Sequence, residues 1–165
     1  YNFNLLPEGE DNGNDWPYSL KFAYCDPGFP RTTESHQDEI YMRLAETILL
    51  RAEAYGRLGN YSAAADDINL LRDRANAKRV TESDFGGNLH DFLNFILDER
   101  SRELLEEEQR RYTLLRMGGA EFFYPRVKEF NTIDENLTLR DTLFPIPQPV
   151  IDANINGDMR QNPGF

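Results

Sequence analysis

Apolar positions between residues 40 and 117 recur at helical rather than strand spacing. Ile40, Leu44, Ile48, Leu49, Ala52 and Tyr55 form a stripe one helix face wide, and Gly59-Asn60 supplies the stop. Asn60 or Ser62 can cap a second helix, whose stripe is Tyr61, Ala64, Ala65, Ile68, Leu71 and Ala75. So short a connection predicts an antiparallel hairpin. Leu89, Phe92, Leu93, Ile96 and Leu97 open a third helix, predicted to run on through the charged stretch Glu99–Gln109. Arg110–Met117 continues it or begins a short fourth helix, and Gly118-Gly119 ends it.

Elsewhere the pattern weakens. Val80–Asn88 reads as a loop around Gly86-Gly87, and Glu121–Asp141 as mixed and loop-like with a break at Pro125. From Leu143 the chain is Pro-rich, with a helical turn expected near Pro149–Asn154. Residues 1–35 look irregular, apart from an alternating Tyr18–Tyr24 that suits one short strand. The division expected is thus an irregular segment 1–35 and a helical region 36–165. Ala52, Tyr55, Gly59, Tyr61, Ala64, Ile68 and Leu71 fall at tetratricopeptide offsets, though no second copy follows. The predicted fold is all-α: a tetratricopeptide-like helical hairpin with additional packed helices and long ordered loops.

Composition narrows the function. A chain of 165 residues can bury roughly 70% of its unfolded surface, so it needs no disulfide or metal to fold. The net charge of −11 argues against nucleic acid, whose binding rests on clustered Lys and Arg, and against anionic lipid. No apolar run approaches the ~20 residues of a membrane helix. Cys25 stands alone, excluding an internal disulfide and a Cys-based zinc site. The chain opens Tyr-Asn-Phe-Asn, without initiator Met or signal peptide, as a piece of a longer protein would.

Candidate chemistry is sparse. The acidic pairs Asp66-Asp67, Glu106-Glu107-Glu108 and Asp134-Glu135 could in principle flank a sugar as glycosidase carboxyls do. Interleaved with Arg100, Arg102, Arg110 and Arg111, they read instead as a solvated charged face. No nucleophile–base constellation is recognisable, so catalysis is not expected, and no cofactor is implied. Asp152, Asn154 and Asn156, followed by Gly157, match half a calcium loop. Its closing Glu is replaced by Pro163, so a turn rather than a metal site is expected. Sugars present apolar C–H faces that flat rings match, which makes Trp16, Tyr18, Tyr112, Phe122, Phe123 and Tyr124 the stacking candidates. Trp16 leads, because its loop is polar and Gly-rich.

Three segments, in order, resemble the SusD/RagB family. They are Tyr41-Met42-Arg43-Leu44-Ala45-Glu46 through Ala54, Glu99-Arg100-Ser101-Arg102-Glu103-Leu104 through Gly118, and Leu143-Phe144-Pro145-Ile146-Pro147 through Gln161-Asn162-Pro163-Gly164-Phe165. The likeness covers roughly residues 36–165 and is looser before that. The chain departs from the family pattern at Glu108, often Gly, at Arg111, an aromatic, and at Thr113, an Asp, so a different local charge network is expected.

The resemblance implies the C-terminal part of a SusD-like α-α superhelix, with a complete C-terminus. It implies a non-catalytic glycan-binding lipoprotein at the surface of a Bacteroidetes-type outer membrane. The anchor would be an N-terminal Cys outside this chain. Ligand would pass to a SusC-like TonB-dependent transporter, and the missing N-terminal part of the same protein would be a further partner. A RagB-like receptor for peptides and a tetratricopeptide-type scaffold without a nutrient ligand are the alternatives, with a hydrolase behind both. Asp141-Thr142-Leu143 also fits the short O-glycosylation pattern of such secreted proteins, at Thr142.

Overall fold

Every regular element in the computed structural model, which describes residues 40–130, 137–155 and 157–165, is helical. The chain divides into two units, residues 1–42 and 43–165. All of these helices belong to the second unit, and the candidate strand at Tyr18–Tyr24 lies outside the described residues.

Helix α1 spans Leu44–Arg57, and helix α2 spans Tyr61–Arg74. Gly59 joins them at φ +78°, where a side chain would be strained, and the Asn60 N–H donates back to the Tyr55 carbonyl at 2.9 Å. The Asn60 side chain then accepts from the Ala63 N–H at 3.2 Å, which makes it the cap of α2.

The stripe of α1 is rotated from the expected one. Ile40 precedes the helix and is exposed, and Leu44 is 73% exposed, while Ala45, Leu49, Ala52, Glu53 and Gly56 face inward. The reason is close approach. The Phe92 ring, from the next helix along the chain, occupies the space beside Gly56, where an added Cβ would lie 1.9 Å from Phe92 Cε1. Small residues must therefore point at the neighbours, and the larger Leu44 is left outside.

Helix α3 runs Leu89–Glu103, capped by Asn88. Phe92, Leu93, Ile96 and Leu97 are buried, joined by Ile68, Phe85 and Ala52 in the main core. Tyr61, Phe85 and Phe92 pack ring against ring, with centroids 5.1 to 6.4 Å apart. The loop before α3 is anchored by Asn69, whose buried carboxamide exchanges two 2.8 Å hydrogen bonds with the main chain of Val80.

The third helix does not reach Gln109 as expected. It ends at Glu103, Leu104 drops into a second small core with Ala45, Leu49 and Leu71, and Glu106 takes φ +63°. This turn aims Glu107 and Glu108 back at α1 and α3. Helix α4 then spans Arg110–Gly118.

Helix α5, Ala120–Phe130, replaces the loop predicted around Pro125. A proline inside a helix costs about 3 kcal/mol. Burying Phe122 and Phe123, 5% and 7% exposed, returns about 1.5–3 kcal/mol each. Pro125 and Glu121 both lie on the exposed face, so the carbonyl that loses its partner is on the water side. Arg126 adds hydrogen bonds to the Asn94 carbonyl and side chain at 3.0 and 3.1 Å, tying α5 to α3.

The tail carries a 3-10 turn, Leu139–Thr142, and helix α6, Gln148–Asp152, where a helical turn was expected. None of residues 137, 138, 140–155 and 157–165 is buried. Polar clips hold the tail instead. The Gln161 carboxamide accepts from the Ile146 N–H at 2.7 Å and donates to its carbonyl at 2.8 Å. Asn162 Nδ2 donates to the Phe144 carbonyl at 2.7 Å, and the Arg140 guanidinium lies over the Phe165 ring at 5.1 Å.

Candidate functional site

The charged segments fold inward, against the expectation of a solvated face. Asp66 is exposed, but Asp67 is buried and held by Arg51 through two hydrogen bonds of 2.8 and 2.6 Å. Glu99, also buried, accepts from Arg72 at 2.8 and 2.6 Å and from Arg102 at 3.1 Å. Glu107 pairs with Arg43, which also reaches Glu103 at 2.6 Å. Asp134 and Glu135 lie outside the described residues.

Two nodes join α1, α3 and α4. Glu53, 2% exposed, accepts Arg116 in a bidentate pair at 2.9 and 2.6 Å and Arg57 at 2.9 Å. Burial alone would raise its carboxyl. Hydrogen bonds from Arg116 and then Arg57 outweigh that and hold the group below the usual carboxylate range. The second node is Arg100, 1% exposed, whose Nε donates to Glu108 and whose Nη2 donates to Glu46 at 3.3 Å.

The three departures from the family pattern find their reasons here. Thr113 donates its hydroxyl to Glu108 at 2.9 Å, so two of the altered positions touch each other beside Arg100. Arg111 leaves the network altogether. Its Nη2 donates to the carbonyls of Asp141 at 2.6 Å and Leu143 at 3.2 Å, and its guanidinium lies 3.8 Å from the Phe144 ring centre. The strongly buried carboxylates Glu53, Asp67 and Glu99 are each saturated by guanidinium groups. The three pairings tie α1 to α4, α1 to α2 and α2 to α3.

The stacking candidates separate. Trp16 and Tyr18 lie outside the described residues. Phe123 is 7% exposed within the main core, as is Phe122 at 5%, so neither offers a face to a ligand. Tyr124 is half-buried against Phe123, at 5.7 Å between ring centres, with its hydroxyl enclosed. Tyr112 is 56% exposed on α4, and its ring centre lies 6.5 Å from that of Phe144. Phe144 is not one of the rings that the sequence singles out. Only the fold brings it beside Tyr112.

The calcium-like hexapeptide is described on either side of Asn156. Asp152 accepts from Gln148 at 2.7 Å and the Asn154 amide donates to the Gly157 carbonyl at 3.0 Å, while Asn156 lies outside the described residues. Thr142 is half-buried at the end of the 3-10 turn. In that turn Asp141 accepts from the Thr138 N–H at 2.6 Å, and this bond first, then the Thr138 hydroxyl, lowers its carboxyl. Among the described residues no helix is long and apolar enough to cross a membrane.

Comparison with known proteins gives a consistent answer. The chain is similar to two SusD-like proteins of Formosa agariphila, one at 33% identity over all of this chain and 34% of the relative, the other at 35% over 86% and 27%. It is also similar to the starch-binding protein SusD of Bacteroides thetaiotaomicron, at 35% identity over 74% of this chain and 21% of that protein. The chain thus spans about a third or less of the length of these relatives. No solved structure matches significantly. The family model that matches, over residues 5–165, is that of the SusD family, and this chain, helical in every regular element among its described residues, belongs to that family.

Proposed function

We propose that this chain is part of a cell-surface receptor that captures glycans without transforming them. A SusC-like TonB-dependent transporter would take the ligand on, and a lipid anchor outside this chain would hold the receptor to the outer membrane. The observation that carries the reading is the family match over nearly the whole chain, together with the likeness to a protein named for starch binding. The packing agrees with it. Buried carboxylates locked to arginines suit a rigid scaffold better than a reacting centre, and Tyr112 stands open for contact with a sugar face. Trp16 and Tyr18 are proposed for the same role, and Thr142 as a site of O-glycosylation, which an intact mass of secreted protein would reveal.

Affinity electrophoresis of the full-length protein in gels containing amylopectin, laminarin or alginate tests the proposal. Retardation by at least one polysaccharide, with no shortening of the chains on long incubation, is the expected result. Mobility unchanged in all three gels, with titratable binding of a peptide library, would move the protein to the peptide-receptor reading. Release of reducing ends would overturn the non-catalytic one.

A further inference from the structure

Beyond the assignment to a glycan receptor, and resting on it, we propose that Tyr112 and Phe144 form a two-ring platform for a neutral pyranose chain, with Arg111 as its polar edge. Several features set this pair apart from ordinary exposed apolar residues. The rings come from different elements, α4 and the tail, yet lie 6.5 Å apart with planes inclined at 48°, a shallow V about one sugar residue long. Each residue is 56% exposed.

Phe144 is also held rather than trailing. Its carbonyl accepts from Asn162 at 2.7 Å, and the preceding carbonyl, that of Leu143, accepts from Arg111 at 3.2 Å. Arg111 covers one face of the ring at 3.8 Å, so the exposure falls on the opposite face and the edge. A ring ordered before binding loses little entropy when a ligand arrives.

Arg111 supplies more than a backing. Among the described residues it makes no direct hydrogen bond to a carboxylate, unlike Arg43, Arg51, Arg72, Arg100 and Arg116, and only shares a field of attraction with Asp141. With Nη2 spent on the tail carbonyls and Nε enclosed, the remaining Nη1 group is the one suited to a hydroxyl on a sugar lying across the rings. The neighbouring Asp141 carboxylate offsets the Arg111 charge and opposes a uronate or sulfate at this edge, which is why the ligand class is neutral.

The test uses the full-length protein in the same polysaccharide gels, with Tyr112→Ala, Phe144→Ala, Phe144→Trp and Arg111→Ala variants. Melting curves first establish that each folds as the parent does. Tyr112→Ala and Phe144→Ala are expected to weaken binding to amylopectin or laminarin by about 2- to 10-fold each, the range of one ordinary ring contact. Phe144→Trp should retain or improve it, which a merely structural role for the ring would not predict. Retardation equal to the parent's in both alanine variants overturns the platform and leaves the receptor reading intact. A parent that no gel retards overturns both. Retardation by alginate alone overturns the neutral ligand class.

Discussion

Removing the Glu108 carboxylate gives the most direct test of the buried network. Arg100 is 1% exposed; its Nε is served by Glu108, its Nη2 by a 3.3 Å contact to Glu46, and its Nη1 by nothing among the described residues. Glu108→Ala therefore leaves a buried cation with one long hydrogen bond, and it also strips Thr113 and Arg110 of an acceptor. Breaking a buried pair from one side costs about 3–5 kcal/mol, because the remaining charge stays uncompensated. Against a total stability of about 5–15 kcal/mol, that is a large fraction. Urea unfolding followed by circular dichroism should show the midpoint fall with its slope unchanged.

A compensating change makes the test sharper. Thr113 Oγ1 lies 2.9 Å from Glu108 Oε1, so an aspartate at position 113 would place a carboxylate near the one removed. Glu108→Gly combined with Thr113→Asp, which restores the residues the family pattern favours, should recover more than half of the loss. A cost for Glu108→Ala under ~1 kcal/mol, the value of an exposed pair, would falsify the buried pairing.

Two further outcomes follow from the same geometry. Glu53 has a folded-state pKa below its ordinary value, so its pairing stabilises the fold above the unfolded pKa and that contribution is lost as pH falls through the folded one. Stability should therefore decline below about pH 4.5 more steeply in the parent than in Glu53→Gln, and parallel curves would rule this out. Gly56→Ala drives a methyl into the Phe92 ring, at 1.9 Å from Cε1, and should cost about 1–3 kcal/mol by overpacking. Adding Phe92→Leu should return part of that loss, whereas a further additive loss would show that the two positions do not touch.

Local chemistry was legible in the chain. Gly59-Asn60 ends one helix and caps the next through atoms within a few residues, so the hairpin could be read without knowing what it packs on. The buried row of α3 was equally plain, as four large apolar residues at helical spacing admit one inward face. The rotation of α1 was not. Leu44 is the more hydrophobic side chain, but the inward face was chosen by the room that Phe92 leaves beside Gly56. The helix through Pro125 likewise depended on whether Phe122 and Phe123 had a core to enter.

The charged residues mark the boundary most clearly. A run such as Glu99–Glu108 looks the same in sequence whether it faces water or arginines from other helices, because a charge carries no sign of its distant partner. Arg43, Arg72 and Arg116 come from three different elements or their borders, and only their convergence turns the acidic face into a set of locks. The platform at Tyr112 obeys the same logic. Sequence alone determined the family, the helical class and the hairpin, since motifs and periodicity are local. The tertiary structure decided which carboxylates are buried and which aromatic rings remain open, because both depend on contacts between segments far apart in the chain.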